Sequence, residues 1–370
     1  MTVNSWNEWD PLREVIVGSV RGAADMGFEP ALSPYRREGE PVFAGRPVHP
    51  GAVAEAERQI DAFAELLSRL GIVVRRPDET DQNVAAKTPD WDIAGGRAIA
   101  CPRDVLLVVG NEIIEAPMAQ RGRYFEFRAY RSLIKQYFRD GARWTAAPKP
   151  LMSDALYDQR GSKPDRPFDI ADGPLLTDFE PAFDAASFAR FGRDIFWQPD
   201  LVSNEFGAAW LARHLGPRFR LHKVTFREPT PTHIDTTLVP VRPGIVLTNP
   251  QRPCIDGALQ VFVDNGWRLI PAPSSVRSGR GAARDVSNWI SMNILMLDER
   301  TAVVEAAETP TIELLRSLGC EVIPCAFDRV YAFGGGLHCC TADIRRDGGL
   351  QSYFPSLDAA SGAQAGVIAP

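Results

Sequence analysis

A short stretch near the C-terminus combines a permissive backbone with side chains that can do covalent chemistry. Residues 333–346 read F-G-G-G-L-H-C-C-T-A-D-I-R-R. Three glycines allow a tight turn and a close approach to a ligand, and His338, Cys339 and Cys340 follow them directly. Glycines next to a cysteine are typical of a turn that exposes a nucleophilic thiol to a substrate. The alternative is a turn whose buried cysteines only pack.

A second stretch places a histidine and an aspartate at a spacing that suits proton transfer. Residues 228–235 read E-P-T-P-T-H-I-D, and after the two stiffening prolines His233 is expected to enter an apolar strand. In an extended strand, His233 and Asp235 point to the same face. An imidazole and a carboxylate on one face suit acid–base chemistry and cation binding. A purely structural histidine–aspartate pair is the alternative.

Three other polar residues stand where short segments meet predicted strands. Asp184 lies between aromatic residues in the stretch 178–188, as part of a partly buried wall or as a helix N-cap. Asp104 precedes an apolar run, where a simple turn residue is the alternative. Arg252 follows a strand end, and its guanidinium could hold a carboxylate through two hydrogen bonds.

Together these candidates are a thiol, a histidine, isolated carboxylates and an arginine, which suit attack on a planar cationic carbon. A guanidinium group presents a rigid set of donors that matches carboxylates. The thiolate would attack its carbon, and the histidine would protonate the departing amine. The histidines and cysteines form no metal-binding motif, and residues 334–336 lack the lysine of a phosphate-binding loop. We therefore expect no metal and no cofactor.

Length, composition and charge limit the class of protein. The chain has 370 residues, of which 45% are hydrophobic and 24% charged, as in an ordinary globular protein. Its net charge of −6 disfavours nucleic acid as the main partner. No apolar run is long enough for a membrane span, and the N-terminus lacks the pattern of an export signal. We expect a cytoplasmic protein with reduced thiols that binds neither nucleic acid nor membrane.

The elements that must position these residues recur in five copies. In each copy an amphipathic helix ends at a glycine and an apolar strand follows. Strand-like runs precede the helices, at 15–17, 105–114, 194–197, 237–247 and 294–304. The last two contain a turn and are predicted hairpins. Repeats at this spacing favour modules stacked around an axis, although any α/β protein alternates helices and strands.

Three segments fall outside these modules. Residues 21–50 are rich in glycine and proline and are predicted to form a long loop. Residues 153–174 are polar, and residues 273–285 carry serine, glycine and arginine. Because long loops in compact domains often act as lids, the first and third of these segments are candidates for closing over the site.

The chain resembles the arginine-dependent amidinotransferases, the glycine and inosamine-phosphate amidinotransferase group of the guanidino-group-modifying superfamily. The resemblance begins at N-S-W-N-E-W-D-P-L (4–12) and ends at G-L-Q-S-Y (349–353). Between them, V-G-N-E-I-I-E-A-P-M (109–118) and G-G-G-L-H-C (334–339) are long and specific. The resemblance covers nearly the whole chain, so we expect a single domain over residues 1–370.

The resemblance implies a fold and a reaction. The fold is an α/β propeller of the pentein type, with five ββαβ blades and pseudo-fivefold symmetry, which agrees with the five copies above. The reaction is a ping-pong transfer of the amidino group from L-arginine to a primary amine, with release of ornithine. The alternatives are an arginine deiminase-like hydrolase that gives citrulline and a guanidine-binding relative without catalysis. A homodimer is expected because relatives often dimerise.

The resemblance also implies roles for individual residues. It gives the role of nucleophile to Cys339 and leaves a packing role to Cys340. It makes His233 the acid–base residue and Asp184 its partner. The substrate-binding residues that it implies are Asp104 and Asp235 for the guanidinium, Arg252 for the substrate carboxylate, and Ser287.

The departures from the family pattern lie on the acceptor side. Glycine-using relatives have Asn-Pro-Met before the histidine, whereas this chain has Thr230, Pro231 and Thr232. Inosamine-phosphate relatives also place threonine just before the histidine. Val286 stands beside Ser287 where glycine-using relatives have paired serines. We count Thr230 and Thr232 among the substrate-binding residues and expect an acceptor larger than glycine, such as an amine of secondary metabolism.

Overall fold

Within the residues that the structure describes, five three-stranded sheets repeat one pattern of strand pairing. The computed structural model of the chain describes residues 2–27, 29–35, 44–158, 175–228, 232–276 and 287–359. In each of these sheets, the central strand pairs antiparallel with one neighbour and parallel with the other. A helix connects the central strand to its parallel neighbour, as parallel pairing requires. The predicted α/β class is therefore confirmed.

The first sheet joins the two ends of the chain. In hydrogen-bonded order it contains β19 (Thr341–Arg346), β1 (Leu12–Val17) and β4 (Val73–Arg75). The other four sheets are β7 (Leu106–Val109), β8 (Glu112–Glu115) and β9 (Arg143–Ala146); β10 (Phe188–Phe191), β11 (Asp194–Trp197) and β12 (Arg220–Lys223); β13 (Leu238–Arg242), β14 (Ile245–Thr248) and β15 (Arg268–Pro271); and β16 (Leu295–Met296), β17 (Thr301–Glu305) and β18 (Glu321–Cys325).

The connecting helices end where the glycines predict. They are α1 (Pro50–Arg69), α3 (Arg131–Arg139), α4 (Glu205–Leu215), α5 (Gln260–Asp264) and α6 (Thr309–Ser317), and a further short helix, α2 (Pro102–Val105), precedes β7. A glycine with positive φ follows each connecting helix within two residues, at positions 71, 141, 216, 266 and 319. Glycine adopts this left-handed conformation without the penalty of a Cβ atom, so it stops the helix and turns the chain into the next strand.

Within the five three-stranded sheets, three stretches differ from the sequence prediction. The run 105–114 is two antiparallel strands, because Gly110 has φ of +61° and turns the chain where a side chain would strike the Trp6 ring. Strands β10 and β19 were not predicted. Both contain charges, and the buried Arg190 and Asp343 side chains pair with each other at 3.0 Å, so the charge that hides the strand pattern is neutralised inside the fold.

One of the segments predicted as loops contains regular secondary structure among the described residues. Residues 21–50 contain an antiparallel pair, β2 (Ala24–Met26) with β3 (Ala44–Pro47), and a 3-10 helix at Pro30–Tyr35. A second small pair, β5 (Ala86–Lys87) with β6 (Asp92–Ile93), lies farther along the chain. Most of the segments 153–174 and 273–285 lies outside the described residues.

The apolar core lies between the sheets and their helices. Helix α1 buries Ile60, Phe63 and Leu67 against the strand residues Val15 and Val17. The same cluster extends to the cysteines at 101, 339 and 340, so the core of the first sheet directly supports the glycine-rich stretch. Among the described helices, none has the length and apolar character needed to cross a bilayer.

A buried charge network ties the N-terminal segment to three of the elements. Asp343 of β19 accepts from Arg103 of α2 at 2.7 Å and from Arg190 of β10 at 3.0 Å. Glu8 also pairs with both arginines, at 3.2 and 2.8 Å. Because all four side chains are nearly inaccessible to solvent, each charge depends on its partners, and the network sets the positions of α2, β10 and β19 relative to one another.

Candidate active site

Each of the five sheets contributes a polar side chain from the segment that enters its first strand. These residues are Cys339 before β19, Asp104 before β7, Asp184 before β10, His233 and Asp235 before β13, and Asn293 before β16. All six are buried. Because the sheets share one pattern of pairing, equivalent positions of the five modules converge on one place.

Asn293 holds the turn that presents Cys339. Its Oδ1 accepts from the backbone N–H groups of His338 at 2.9 Å and Cys339 at 3.0 Å. Its Nδ2 donates to Cys339 Sγ at 3.1 Å and to Asp235 Oδ2 at 2.7 Å. A side chain at Gly336 would come within 2.7 Å of Asn293 Oδ1, so the glycine is needed for this approach. The amide thus fixes the thiol and gives it a hydrogen-bond donor.

The surroundings of Cys339 keep its thiol protonated. Burial raises the pKa of the thiol well above its ordinary value, and the carboxylates of Asp235 and Asp104 raise it further. Asp235 Oδ2 lies 3.3 Å from Cys339 Sγ. A thiolate, the nucleophilic form, therefore needs a positive charge beside these carboxylates.

The neighbouring Cys340 points into the core. It is fully buried and its thiol contacts that of Cys101 through a hydrogen bond. Burial raises the pKa of Cys340, and buried, uncharged thiols of this kind are inert.

His233 is held between two carboxylates. Its Nε2 lies 3.0 Å from Asp184 Oδ2, and its Nδ1 lies 3.7 Å from Asp104 Oδ1. Burial alone would lower the pKa of His233, but the charge of Asp104 and the contact with Asp184 outweigh it and raise the pKa to about 10. The imidazole is therefore a cation at neutral pH and can donate a proton.

The predicted strand at His233 is wrong, because the residue lies in a strained turn. His233 has φ of +63°, a left-handed conformation that is uncommon for residues other than glycine, and β13 begins only at Leu238. Asp200 Oδ2 accepts from His233 N–H at 2.9 Å, and Gln198 donates to the His233 carbonyl at 3.0 Å. These contacts hold the turn, and the turn rather than a strand face brings Asp235 to the site.

The alternative role of Asp184, a helix N-cap, is not observed. Asp184 precedes a 3-10 helix at Ala185–Ser187, but its side chain makes no capping hydrogen bond. The carboxylate instead meets His233 at 3.0 Å.

The two aspartates around His233 each keep one unsatisfied oxygen. Arg123 donates to Asp104 Oδ2 at 2.7 Å and forms a two-point contact with Glu126. Asp104 Oδ1 and Asp184 Oδ1 are buried and have no hydrogen-bond partner among the described residues. Buried acceptors without a donor are costly, so these oxygens are suited to a ligand that brings donors and positive charge.

Asp235 is oriented by a second histidine. His338 Nδ1 lies 2.9 Å from Asp235 Oδ2, and His338 Nε2 lies 3.3 Å from Glu8 Oε2. Burial alone would raise the pKa of Asp235, but the contact with His338 leads the interactions that lower it, so the carboxylate stays charged.

Arg252 and Ser287 form a separate group next to Asp235. Arg252 Nη2 donates to Ser287 Oγ at 2.6 Å, and Nη1 donates to Thr236 Oγ1 at 2.8 Å. Arg252 also pairs with the buried Glu228 at 2.7 Å. The guanidinium is thus engaged by protein groups in this structure, and a substrate carboxylate would compete with Glu228 for it.

Both threonines that were predicted to bind substrate stand within three residues of His233 in the sequence. Thr232 directly precedes the strained turn at His233. Thr230 lies outside the described residues.

Several residues of the site were not predicted from the sequence. Asn293, Asp200, Arg123 and Glu126 are polar residues in otherwise ordinary stretches, and no motif distinguishes them. His338 stands inside the glycine-rich stretch, so its position beside a thiol was the one available signal.

Three described residues of the site come close enough to share a metal ion. Ligand atoms of Asp104, His233 and Cys339 all lie within 4.8 Å of one another.

Comparisons with known proteins give one consistent result. No family model matches the chain. It is 46% identical over 360 residues to the mitochondrial glycine amidinotransferase of Gallus gallus, covering 95% of this chain and 85% of that protein. It is 44% identical over 356 residues to the L-arginine:L-lysine amidinotransferase of Pseudomonas savastanoi pv. phaseolicola, covering 95% and 96%. A solved structure, SxtG, an amidinotransferase from Microseira wollei in the saxitoxin biosynthetic pathway, matches with a TM-score of 0.86 and 43% identity, covering 96% of this chain and all of that one.

Proposed function

Because the chain belongs to the amidinotransferase family, we propose that it moves the amidino group of L-arginine through a covalent amidino-Cys339 intermediate to a primary amine. Ornithine is the first product. The observation that carries this proposal is the arrangement around Cys339, whose thiol lies 3.3 Å from the buried carboxylate of Asp235 and close to His233, which is itself held between Asp184 and Asp104.

The first step is capture of the guanidinium. Asp235 Oδ2 lies 3.3 Å from Cys339 Sγ, and Asp104, whose carboxylate also comes within 4.8 Å of this sulfur, offers an oxygen without a hydrogen-bond partner among the described residues. A guanidinium between them supplies donors in the geometry that carboxylates match. Its positive charge offsets the carboxylates that raise the pKa of the Cys339 thiol, so the thiol loses its proton to solvent when the substrate arrives.

The second step breaks the bond to ornithine. The Cys339 thiolate attacks the guanidinium carbon, and the Asn293 amide donates a hydrogen bond to the sulfur at 3.1 Å. His233, charged between Asp104 and Asp184, donates its proton to the departing nitrogen. The amidino group stays on Cys339, and His233 is left neutral.

The third step uses the neutral histidine as a base. A primary amine enters, His233 takes its proton, and the amine nitrogen displaces Cys339 from the amidino carbon. The product is a new guanidine, and both the thiolate and the imidazolium are restored. Transfer rather than hydrolysis requires that water be kept from the intermediate.

We propose an acceptor larger than glycine. This proposal rests on Thr230, Thr232 and Val286 in the sequence, and the relatives at similar identity include proteins named for glycine and for lysine. Labelled arginine incubated in turn with glycine, lysine, ornithine and amino-sugar amines tests it. A labelled guanidine product formed fastest with glycine would contradict the proposal.

Arginine supplied alone separates the transferase from the hydrolase alternative. The transferase releases ornithine continuously only when an amine is present. Continuous citrulline release without an amine would show that water is the true acceptor. No ornithine release even after amines are added would indicate a guanidine-binding protein without catalysis.

We also propose that the five sheets surround one axis as a pseudo-fivefold propeller in a single domain over residues 1–370. The shared pairing pattern and the meeting of all five entering segments support this arrangement.

For the assembly we propose a homodimer, and sedimentation equilibrium that fits a monomer at all concentrations would overturn it.

A further inference from the structure

We propose that the site also binds a thiophilic divalent cation such as Zn²⁺, held by Cys339 Sγ, His233 Nδ1 and Asp104 Oδ1, and that the bound ion inhibits by occupying the place of the guanidinium. The binding claim stands on geometry alone. The inhibition claim rests on the proposed function.

The three ligand atoms are already gathered. They lie within 4.8 Å of one another, and the Asp104 and His233 atoms are 3.7 Å apart. Zinc prefers tetrahedral sites with sulfur, nitrogen and oxygen ligands at about 2.0–2.3 Å. Binding therefore requires the three ligand atoms to move closer together around the ion. A fourth position remains for water, as in sites with three protein ligands.

The groups behind these ligands are those that orient metal ligands in general. A histidine that binds metal through one ring nitrogen usually donates the other to a carboxylate, and His233 Nε2 faces Asp184 Oδ2 at 3.0 Å. Arg123 holds the other oxygen of Asp104 at 2.7 Å. Both protein ligands are thus fixed without using the atoms that would bind the ion.

An unsatisfied buried oxygen points independently to a cation. Asp104 is 1% exposed, and its Oδ1 lacks a hydrogen-bond partner among the described residues. This oxygen faces the His233 ring at 3.7 Å, which is too long for a hydrogen bond. A metal ion would satisfy it directly.

Binding is coupled to proton release. The Cys339 thiol and the His233 imidazolium each lose one proton to solvent as the Zn–S and Zn–N bonds form, and no electrons are transferred. A guanidinium and the metal use the same carboxylate and the same sulfur, so arginine and the ion should exclude each other.

Metal binding to the intact, untagged chain tests the proposal without relying on turnover. Zn²⁺ is titrated by calorimetry, and Co²⁺ is titrated under argon while the thiolate-to-cobalt absorption is recorded. We expect one ion per chain with a cobalt–thiolate band. The Cys339→Ser and Asp104→Asn variants should bind at least tenfold more weakly, and the cobalt–thiolate band should be lost in Cys339→Ser.

Cys254→Ser is the matched control. Its thiol is partly exposed and contacts Asp256, away from the proposed ligands. This variant should bind Zn²⁺ like the unaltered chain. Equal affinity in Cys339→Ser, in Asp104→Asn and in the unaltered chain would overturn the site, as would the absence of saturable binding. Far-ultraviolet circular dichroism of each variant shows that a loss reflects the ligand rather than unfolding.

The inhibition claim has its own readout. In the transferase assay, Zn²⁺ should inhibit competitively with arginine, and a chelator should restore the rate. Inhibition that arginine does not relieve would overturn the shared site. If the chain shows no amidino transfer, the calorimetric and cobalt experiments still decide the binding claim, so the two failures are distinguishable.

Discussion

In the proposed mechanism, the charges around Cys339 decide when its thiol becomes the thiolate nucleophile. Two carboxylates oppose the thiolate, one amide donor favours it, and a cationic histidine stands nearby. In such a site the substrate completes the electrostatics, because its guanidinium balances the carboxylates that otherwise keep the thiol protonated. Variants of the surrounding residues should therefore change the thiol and the turnover in different ways.

Replacing Asn293 separates two functions of one side chain. Asn293→Asp keeps an oxygen for the two backbone N–H groups but replaces the donor that faces Cys339 Sγ by an acceptor. Asn293→Ala removes both. A hydrogen bond to a charged group contributes about 1.5–3 kcal/mol, so both variants should lose roughly tenfold or more in kcat.

The pH dependence of alkylation distinguishes these variants. The added negative charge in Asn293→Asp should raise the pKa of the Cys339 thiol and shift iodoacetamide labelling to higher pH. An unchanged labelling profile in Asn293→Asp would show that the amide only shapes the turn.

Removing a carboxylate should free the thiolate. In Asp104→Asn, a negative charge that raises the pKa of Cys339 is lost, so the ligand-free enzyme should be alkylated faster at neutral pH. Arginine turnover should nevertheless decrease, because the guanidinium loses a partner. Slower alkylation of this variant than of the unaltered chain would contradict the electrostatic account.

The proposed role of His233 as the acid predicts a limit to turnover at high pH. Its pKa, raised to about 10, means that the proton for the leaving amine is present at neutral pH and is lost as the pH rises through that value. The charged contact also stabilises the fold; this contribution is complete below pH 6.5, the ordinary pKa of histidine, and is lost progressively as the pH rises to about 10. Asp184→Asn removes a neighbouring negative charge, so the decline in ornithine release should begin at lower pH. A decline at the same pH in both proteins would separate Asp184 from this proton.

At the residue scale, the sequence could indicate only residues whose side chains are typical of catalysis and stand in a recognisable motif. A thiol after three glycines and a histidine near an aspartate are recognisable, and the structure brings Cys339, His233, Asp184, Asp104 and Asp235 together. Asn293 could not be identified, because an asparagine before a short strand has many ordinary uses. The positive φ of His233 depends on Asp200 and Gln198, which lie more than thirty residues away.

At the scale of elements, the site consists of the five segments that enter the first strand of each module. The helix–glycine–strand repeat could be predicted, because helix ends and apolar runs are local features. The pairing of β19 with β1 could not, because it joins residues more than 320 positions apart. That pairing is what places Cys339 next to the segments from the other modules.

A glycine in the turn before β19 should be intolerant of a side chain. A Cβ at Gly335 would lie 2.6 Å from Cys101 Sγ and 2.7 Å from Cys339 Cβ. Gly335→Ala should therefore displace Cys339 and reduce kcat by roughly tenfold or more, which corresponds to about 1.4 kcal/mol. Gly349→Ala is the control, because no atom of the described residues lies within 4 Å of a Cβ built at this position. Equal activity of the two variants would show that the turn is not tightly packed.

At the scale of the whole molecule, buried charges connect modules that are distant in sequence. Four parts of the chain contribute to one network, which contains Glu8, Arg103, Arg190 and Asp343. These side chains are buried, and their opposite charges balance one another through direct ion pairs. Composition alone could not reveal this network, since 24% charged residues is ordinary and most such residues lie on surfaces.

Breaking the network should destabilise the whole fold. Asp343→Asn leaves the buried arginines around it short of a partner, and removal of one member of a buried ion pair costs about 3–5 kcal/mol. Asp347→Asn breaks a pair with Arg13 in which both side chains are about half exposed, and such pairs contribute about 0–1 kcal/mol. Urea midpoints measure the difference, and a similar shift in both variants would contradict the role of the network.

The most direct measurement is the covalent state of Cys339 after mixing the enzyme with arginine and no amine. The sample is quenched in acid, digested and analysed by mass spectrometry, while released ornithine is counted. We predict one amidino group on Cys339, none on Cys340, and one ornithine per chain, with the adduct disappearing when an acceptor amine is added. An unmodified Cys339 during turnover, an adduct on Cys340, or continuous formation of citrulline would contradict the account.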